Sequence, residues 1–390
     1  MLRSIQPIGA RGSYIGGVAT RCYLGGGFNA GPRNVRLTHY ASVDIDGEIV
    51  VGLINAVFSG GGGEVVGAAP VTVTASFSPQ IGQYRRLTWR GQSSITIQPG
   101  QLVWCDPLPV SVRKRNPFWI TQFWNTSNGV PIVGTIGNSN IGDAGEITST
   151  DKTMGGTIGT FQSTGFSVMP TIILGRTHEP TIVVLGDSRT IGGQQAATQL
   201  TSVYGDAGEL AMPLAPYFSL LNLGASGETA QGFLTANTIR RQFMRYATHT
   251  ICEYGINDLA AGRTAAQLEA DQLSIRKLCG PGPYYLCTPP PQTNSTGGWT
   301  AADGSDQTLF SDNPQRALYC DWVRAGQRWF TPIELADYVE LAPRNSGKWR
   351  APGMTTDGTH ETVLGNQQYR IVKELFALGG VGHMPQVFPT

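Results

Sequence analysis

The sequence predicts an α/β fold with a flavodoxin-like parallel sheet and crossover helices, preceded by an all-β sandwich or jelly-roll domain. Three observations predict it. Short runs of alternating apolar and polar residues crowd the first 170 positions, then give way near Val168 to apolar runs separated by helix-length stretches. Glycine is abundant at 51 of 390 residues and only 14% of residues are charged, against roughly 25% in typical soluble domains, a balance that favours strands and turns over long solvated helices. Finally, residues 181–189, TIVVLGDSR, pass from β-branched residues straight into Gly186, Asp187 and Ser188, the pattern of a buried parallel strand ending in a turn. A chain of this length is expected to hold two domains. The boundary is set between 175 and 176, with residues 1–175 as the β accessory domain and 176–390 as the α/β domain.

In the first region, VRLTHYASVDIDGEIVVGLINAVF from Val35 onward alternates in strand fashion, with Asp46 and Gly47 expected as a two-residue hairpin turn. Further strands are expected at 71–77, 85–91, 93–97, 101–105, 108–112 and 118–124, a spacing that fits a sandwich or jelly roll. Trp89, Trp104, Trp119 and Trp124 fall in these strands and are assigned mainly to core rather than to sugar platforms. The glycine runs at 25–27 and 60–63 lack the lysine and hydroxyl residue of a phosphate-cradling loop and read as flexible loops. Arg113, Lys114 and Arg115 make the only tight basic run, read as an exposed turn. Residues 125–166 fit either an irregular excursion or a set of short strands.

In the second region, strands are expected at 181–185, 218–223, 249–254, 283–288 and 336–341. Helices are expected directly after Ser188 and at 238–247, 263–279, 313–329 and 362–378. Ligands of open α/β sheets bind beyond the carboxyl ends of the strands, which puts Ser188 at the mouth of a site. Asp187 and Ser188 would equally suit the cap of a following helix.

The formal net charge of +1 gives no electrostatic case for nucleic acid or an acidic membrane surface. No stretch approaches a membrane span. The opening MLRSIQPIGARGSYIGG has no continuous apolar run of a secretory signal, so location stays open between cytoplasm, non-classical export and a phage particle. The six cysteines are scattered without a C-x-x-C pair, so no zinc site is expected, and Cys252 and Cys287 read as buried small hydrophobes.

Three later segments fall at expected strand ends: LNLGASGET with Asn222, Gly224, Ser226 and Gly227; YGINDLAAG with Gly255, Asn257 and Asp258; and TTDGTHETVLGNQQY with Asp357 and His360. With Ser188 they supply a hydroxyl nucleophile, an imidazole base, a carboxylate to orient it and donors for an oxyanion, a set that needs no metal or cofactor. Serine is a poor nucleophile until a base within hydrogen-bond reach takes its proton, and a neutral histidine suits that task. The G-x-S-x-G elbow of α/β-hydrolases is absent. His39, His178, His249 and His383 have no acidic partner in a motif and read as structural or exposed. Asp187, Asp258 and Arg189 read as supporting residues.

These segments resemble the four blocks of the SGNH (GDSL-type) hydrolase superfamily: G-D-S at 186–188, N-x-G-x-S-G at 222–227, G-x-N-D at 255–258 and D-x-x-H at 357–360, in the family's order. The first region, around SSITIQPGQLVWCDPLPVSV, more loosely resembles the strand-rich amino-terminal part of some bacterial members. The resemblance implies Ser188 as nucleophile, His360 as base and Asp357 as its orienting partner. It also implies the Ser188 N–H, the Gly224 N–H and the Asn257 side chain as oxyanion-hole donors. The expected activity is hydrolysis of short acyl esters, acetyl above all, on an acylated small molecule or a glycan, through an acyl-enzyme. The same residues would serve an acyltransferase, and a carbohydrate-binding or structural virion protein with a silent hydrolase domain is the third reading. A polar stretch, TPPPQTNSTGGWTAADGSDQ, offers Trp299 as a flat surface for a sugar and no apolar stripe for a fatty chain.

Overall fold

The computed structural model describes residues 12–14, 23–29, 32–41, 44–59, 63–66, 69–113, 116–125, 130–135, 144–159, 166–167, 171–176, 181–190, 208–214, 218–236 and 239–369. Its organising strand is Thr181–Leu185 (β1), buried at all five positions. Val183 and Leu185 point into one apolar layer and Ile182 and Val184 into the other, which is why this stretch carries no polar alternation. Ser219–Asn222 (β2), His249–Cys252 (β3), Tyr284–Cys287 (β4) and Thr331–Ile333 (β5) join it, all parallel, in the order β2-β1-β3-β4-β5.

Helices cover both faces of this sheet. Ala230–Ala236 (α1), Ala265–Arg276 (α2) and Asn313–Ala325 (α3) bring Phe233, Leu268, Ile275, Tyr319 and Val323 onto one face. The second helix starts where Thr264 and Gln267 exchange hydrogen bonds in a capping box. The third has its proline in the first turn and buries Arg316, Tyr319, Cys320 and Val323, the i, i+3, i+4, i+7 stripe of a half-buried helix. On the other face lie Leu210, Leu214, Val339, Trp349 and Tyr369.

One expected strand is corrected. Residues 336–341 do not form the fifth strand: Ala336–Val339 is a single helical turn, and the edge position belongs to Thr331–Ile333. Thr288 Oγ1 accepts the N–H groups of Leu335 and Ala336, and Glu334 Oε1 accepts that of Asp337, so local side-chain acceptors turn the chain before the apolar run. Pro332 is tolerated because the strand is at the sheet edge. Residues 240–246 form a 3₁₀ helix rather than an α-helix. The stretch after Thr190, where a helix was expected, lies outside the described residues, as does the end of the closing helix, of which Val363–Gln368 (α4) is described.

Upstream, antiparallel strands dominate. Ile45–Ile54, with Leu102–Trp104, Leu108–Val112 and Thr171–Arg176, faces a second sheet containing Arg33–Tyr40, Val71–Gln80 and Pro117–Asn125 across one apolar core. Asp46 and Gly47 are not a hairpin turn. They lie inside the strand Ile45–Ile54, opposite Ser111 and Val110, and the strand Arg33–Tyr40 pairs in the other sheet with Pro117–Asn125; the non-local partner strands outweigh the local turn preference. Gly25–Gly27 also sit in a strand, Tyr23–Asn29, paired with Val130–Thr135. Gly60 to Gly62 lie outside the described residues, as do Lys114 and Arg115, whereas Arg113 is exposed. Within 125–166 the described part includes strands Val130–Thr135 and Ala144–Ile147.

Trp89 and Trp124 are buried in the antiparallel core. Trp104 packs on that core and also, with Ile54, Leu102 and Ile172, on the helical layer of the parallel sheet. Its ring meets Tyr246 edge-on at 5.9 Å between centroids. Among the described residues no helix is long and apolar enough to cross a membrane.

Candidate active site

The carboxyl ends of β1, β2 and β3, together with the 355–362 segment, converge on Ser188. After Leu185 the chain turns so tightly that a Cβ at Gly186 would collide with Thr190 Oγ1, which explains a residue without a side chain there. Asp187 Oδ1 accepts the Arg189 N–H at 3.0 Å and orders the turn. Ser188 is 9% exposed at its end.

His360 Nε2 lies 2.7 Å from Ser188 Oγ, and His360 Nδ1 lies 2.7 Å from Asp357 Oδ2. The other carboxylate oxygen, Oδ1, accepts the N–H groups of Thr359 at 2.9 Å and His360 at 2.8 Å. Partial burial alone would raise the Asp357 pKa, but the bonds from the His360 ring and from these two N–H groups hold it well below the ordinary carboxylate range. The loop is braced from behind. Gly358 has φ +77° and no room for a Cβ, which would collide with the Thr293 carbonyl and the Trp299 ring, and its own carbonyl accepts Trp349 Nε1–H at 2.9 Å.

The three sequence-implied oxyanion donors differ in state. The Ser188 N–H has no partner among the described residues. Asn257, half-buried at the start of the helical turn Ile256–Ala260, gives one amide proton to the Glu228 carbonyl at 3.2 Å and retains a second. The Gly224 N–H, by contrast, is taken by Asn222 Oδ1 at 3.0 Å. An Asx turn satisfies it locally, while Asn222 Nδ2 donates to the Thr190 carbonyl at 2.7 Å and ties the β2 loop to the serine turn. Asp258 caps α1 by accepting the Ala230 N–H, and its burial pushes its pKa up to about 7.

Sequence reading missed the acids beneath the serine. Arg189 is buried, with Nη2 2.9 Å from both oxygens of Glu209, 3.0 Å from Glu361 and 3.6 Å from Glu253. Thr190 Oγ1 donates to Glu253 at 2.7 Å. Burial raises the Glu253 and Asp187 carboxyls above their ordinary range although Arg189 pulls them down. A signal was present: Glu253 interrupts an apolar strand end, where an acid needs a buried partner.

Trp299 is half-buried and packs on the parallel sheet's layer rather than on the β region. Its indole N–H donates to Thr293 Oγ1 at 2.9 Å, and its ring lies against Gly358. The polar stretch around it is a small hairpin, Thr293–Ser295 with Gln307–Leu309. His39 stacks on Phe118, and burial takes His249 down to about 4; His178 and His383 lie outside the described residues. The five described cysteines are free, and burial raises the Cys252 thiol to about 12. Among the described residues no group of three or more His, Cys, Asp or Glu is arranged to hold a metal ion.

A scan of protein-family models finds no match to the chain, and neither does a search of curated proteins. Among solved structures the chain is similar to the protein YxiM of Bacillus subtilis, at 14% identity over 87% of this chain and 81% of that one, TM-score 0.38. It is also similar to Est24, a carbohydrate acetylesterase of Sinorhizobium meliloti, at 13% identity over 51% and 100%, TM-score 0.35. A third is the salicylyl-acyltransferase SsfX3 of a tetracycline biosynthetic pathway, at 13% identity over 91% and 84%, TM-score 0.32. Likenesses at this level assign the chain neither a family nor an activity.

Proposed function

We propose that the chain is a serine ester hydrolase of the SGNH type, with residues 176–390 as the catalytic domain and 1–175 as a β-sandwich accessory domain. The observation that carries this reading is the unbroken relay Ser188 Oγ to His360 Nε2 and His360 Nδ1 to Asp357, at 2.7 Å in both steps. Strand order β2-β1-β3-β4-β5, the flavodoxin-like order, supports the fold assignment.

In this mechanism Ser188 Oγ attacks the ester carbonyl carbon while His360 Nε2 takes its proton. Asp357, ionised throughout, stabilises the resulting imidazolium and keeps the ring in one orientation. The developing oxyanion is met by the Ser188 N–H and the second amide proton of Asn257, with the Gly224 N–H shared with Asn222. Each such donor is worth roughly 2.7–4 kcal/mol to the transition state. His360 then protonates the departing alcohol; water, deprotonated by the same ring, attacks the acyl-enzyme, and His360 returns that proton to Ser188 Oγ as the bond to the acyl carbon breaks and the acid leaves.

The substrate is a short acyl ester, acetyl first, on a small molecule or a glycan. The polar hairpin around Trp299 supports that choice. An acyltransferase differs only in that an alcohol replaces water in the second half-reaction. The deciding experiment is a panel of acyl esters, acetylated glycans among them, assayed with and without added alcohol acceptors. Released acid that is unaffected by acceptors is the expected result, and no turnover of any ester would overturn the reading.

A further inference from the structure

We propose that Arg189 and Glu361 form a clasp that positions the nucleophile against its base. The proposal rests on the reading of Ser188 and His360 given above. Each clasp residue is the immediate chain neighbour of one of them, so the ion pair joins the two backbone segments that carry the relay directly behind the Ser188 Oγ to His360 Nε2 bond. Arg189 Nε donates to Glu361 Oε2 at 3.2 Å and Nη2 approaches Oε1 at 3.0 Å, with both side chains 1–2% exposed. Both ends are fixed. Glu209 takes Nη2 with both oxygens, and Tyr369 donates its hydroxyl to Glu361 Oε1 at 3.0 Å.

Elementary energetics argues that this cluster is not there for stability alone. A buried ion pair gains little over well-packed apolar residues of the same volume, whereas removing one partner leaves a costly unpaired charge. The planar guanidinium imposes a two-pronged geometry that lysine cannot reproduce. A rigid link of this kind keeps the 355–362 loop from sliding over the serine turn, and a displacement on the order of 1 Å between reacting groups can cost about a hundredfold in rate. Arg189 and Glu361 are therefore positioning residues that act through Ser188 and His360.

The test compares Arg189→Lys and Glu361→Gln with Glu340→Gln. Glu340 pairs with Arg316 in an equally buried ion pair that touches neither catalytic segment. Melting temperature, kcat and KM on p-nitrophenyl acetate, and the downfield proton resonance of the His360 imidazole N–H bonded to Asp357 are measured for each. Glu361→Gln and Arg189→Lys should lower kcat about ten- to a hundredfold with KM within about twofold, and should shift or broaden the His360 resonance. Glu340→Gln should lower the melting temperature without either change. A folded Glu361→Gln protein with wild-type kcat and an unmoved resonance overturns the clasp. The resonance is read without turnover, so it decides the clasp even if Ser188→Ala retains activity and the nucleophile assignment fails.

Discussion

Ser188 Oγ and His360 Nε2 stand 2.7 Å apart across 172 positions of sequence. Breaking that contact at the serine should leave the fold intact and remove activity. Ser188→Ala is expected to lose on the order of a millionfold in kcat, the loss typical of a triad nucleophile, with an unchanged melting temperature. A serine-directed phosphonate should label the wild-type protein at Ser188 and the variant nowhere.

Replacing Asp357 by Asn keeps the side-chain shape but reverses the hydrogen-bond preference at His360 Nδ1. A loss of about ten-thousandfold in kcat is expected. In the wild type, kcat/KM should fall as the medium turns acidic, because a protonated His360 cannot take the serine proton. Asp357 itself, held below the ordinary range, titrates only in stronger acid. A kcat/KM that rises with acidity would contradict the assignment of His360 as base.

Asn257→Ala removes the amide proton that is not given to Glu228. About a hundred- to a thousandfold fall in kcat at nearly constant KM is expected, since the oxyanion exists only beyond the ground state. Steady-state kinetics on an aryl acetate suffices, and an effect confined to KM would make Asn257 a ground-state binding residue.

Glu253 links stability to pH. Its folded pKa is raised by burial, so between the unfolded carboxylate value of about 4.3 and the raised folded value the unfolded chain releases a proton that the folded chain keeps. Its contribution is therefore full in acid and is lost as pH climbs through that window. Glu253→Gln should flatten this part of the melting-temperature profile, and identical profiles for wild type and variant would show that Glu253 is ionised in the fold.

Trp299 leans on Gly358 within the loop that carries Asp357 and His360. Trp299→Ala is accordingly expected to depress activity on aryl acetates and on acetylated glycans alike, with a lower melting temperature. A loss confined to glycans would instead assign Trp299 the role of a sugar platform. In a chain-length series, acetyl and other short esters should be turned over best.

Four of the five strands of the parallel sheet were legible because buried parallel strands are apolar on both faces, and Ser188, Asp357 and His360, which lie within hydrogen-bond reach of one another in series, were legible because their residue types are chemically specific at strand ends. The fifth strand was misplaced since Ala336 and Val339 look strand-like until Thr288 and Glu334 arrive from elsewhere to cap a helical turn. The same holds for Asp46 and Gly47, whose partner Leu108–Val112 lies far along the chain. Local patterning has no access to such non-local pairing. The Asn222 bond to the Gly224 N–H was likewise out of reach, because composition says nothing of which way an amide turns.

The core shared by Ile54, Leu102, Trp104 and Ile172 with the helical layer of the parallel sheet bears on how such a chain can be inherited. Two regions that read as separate modules along the sequence are joined by a seam whose two sides must fit each other. Swapping the first region for an unrelated one would strip Tyr246 and its neighbours of their cover, so the halves are expected to travel through evolution as a matched pair, with substitutions on one side of the seam answered on the other.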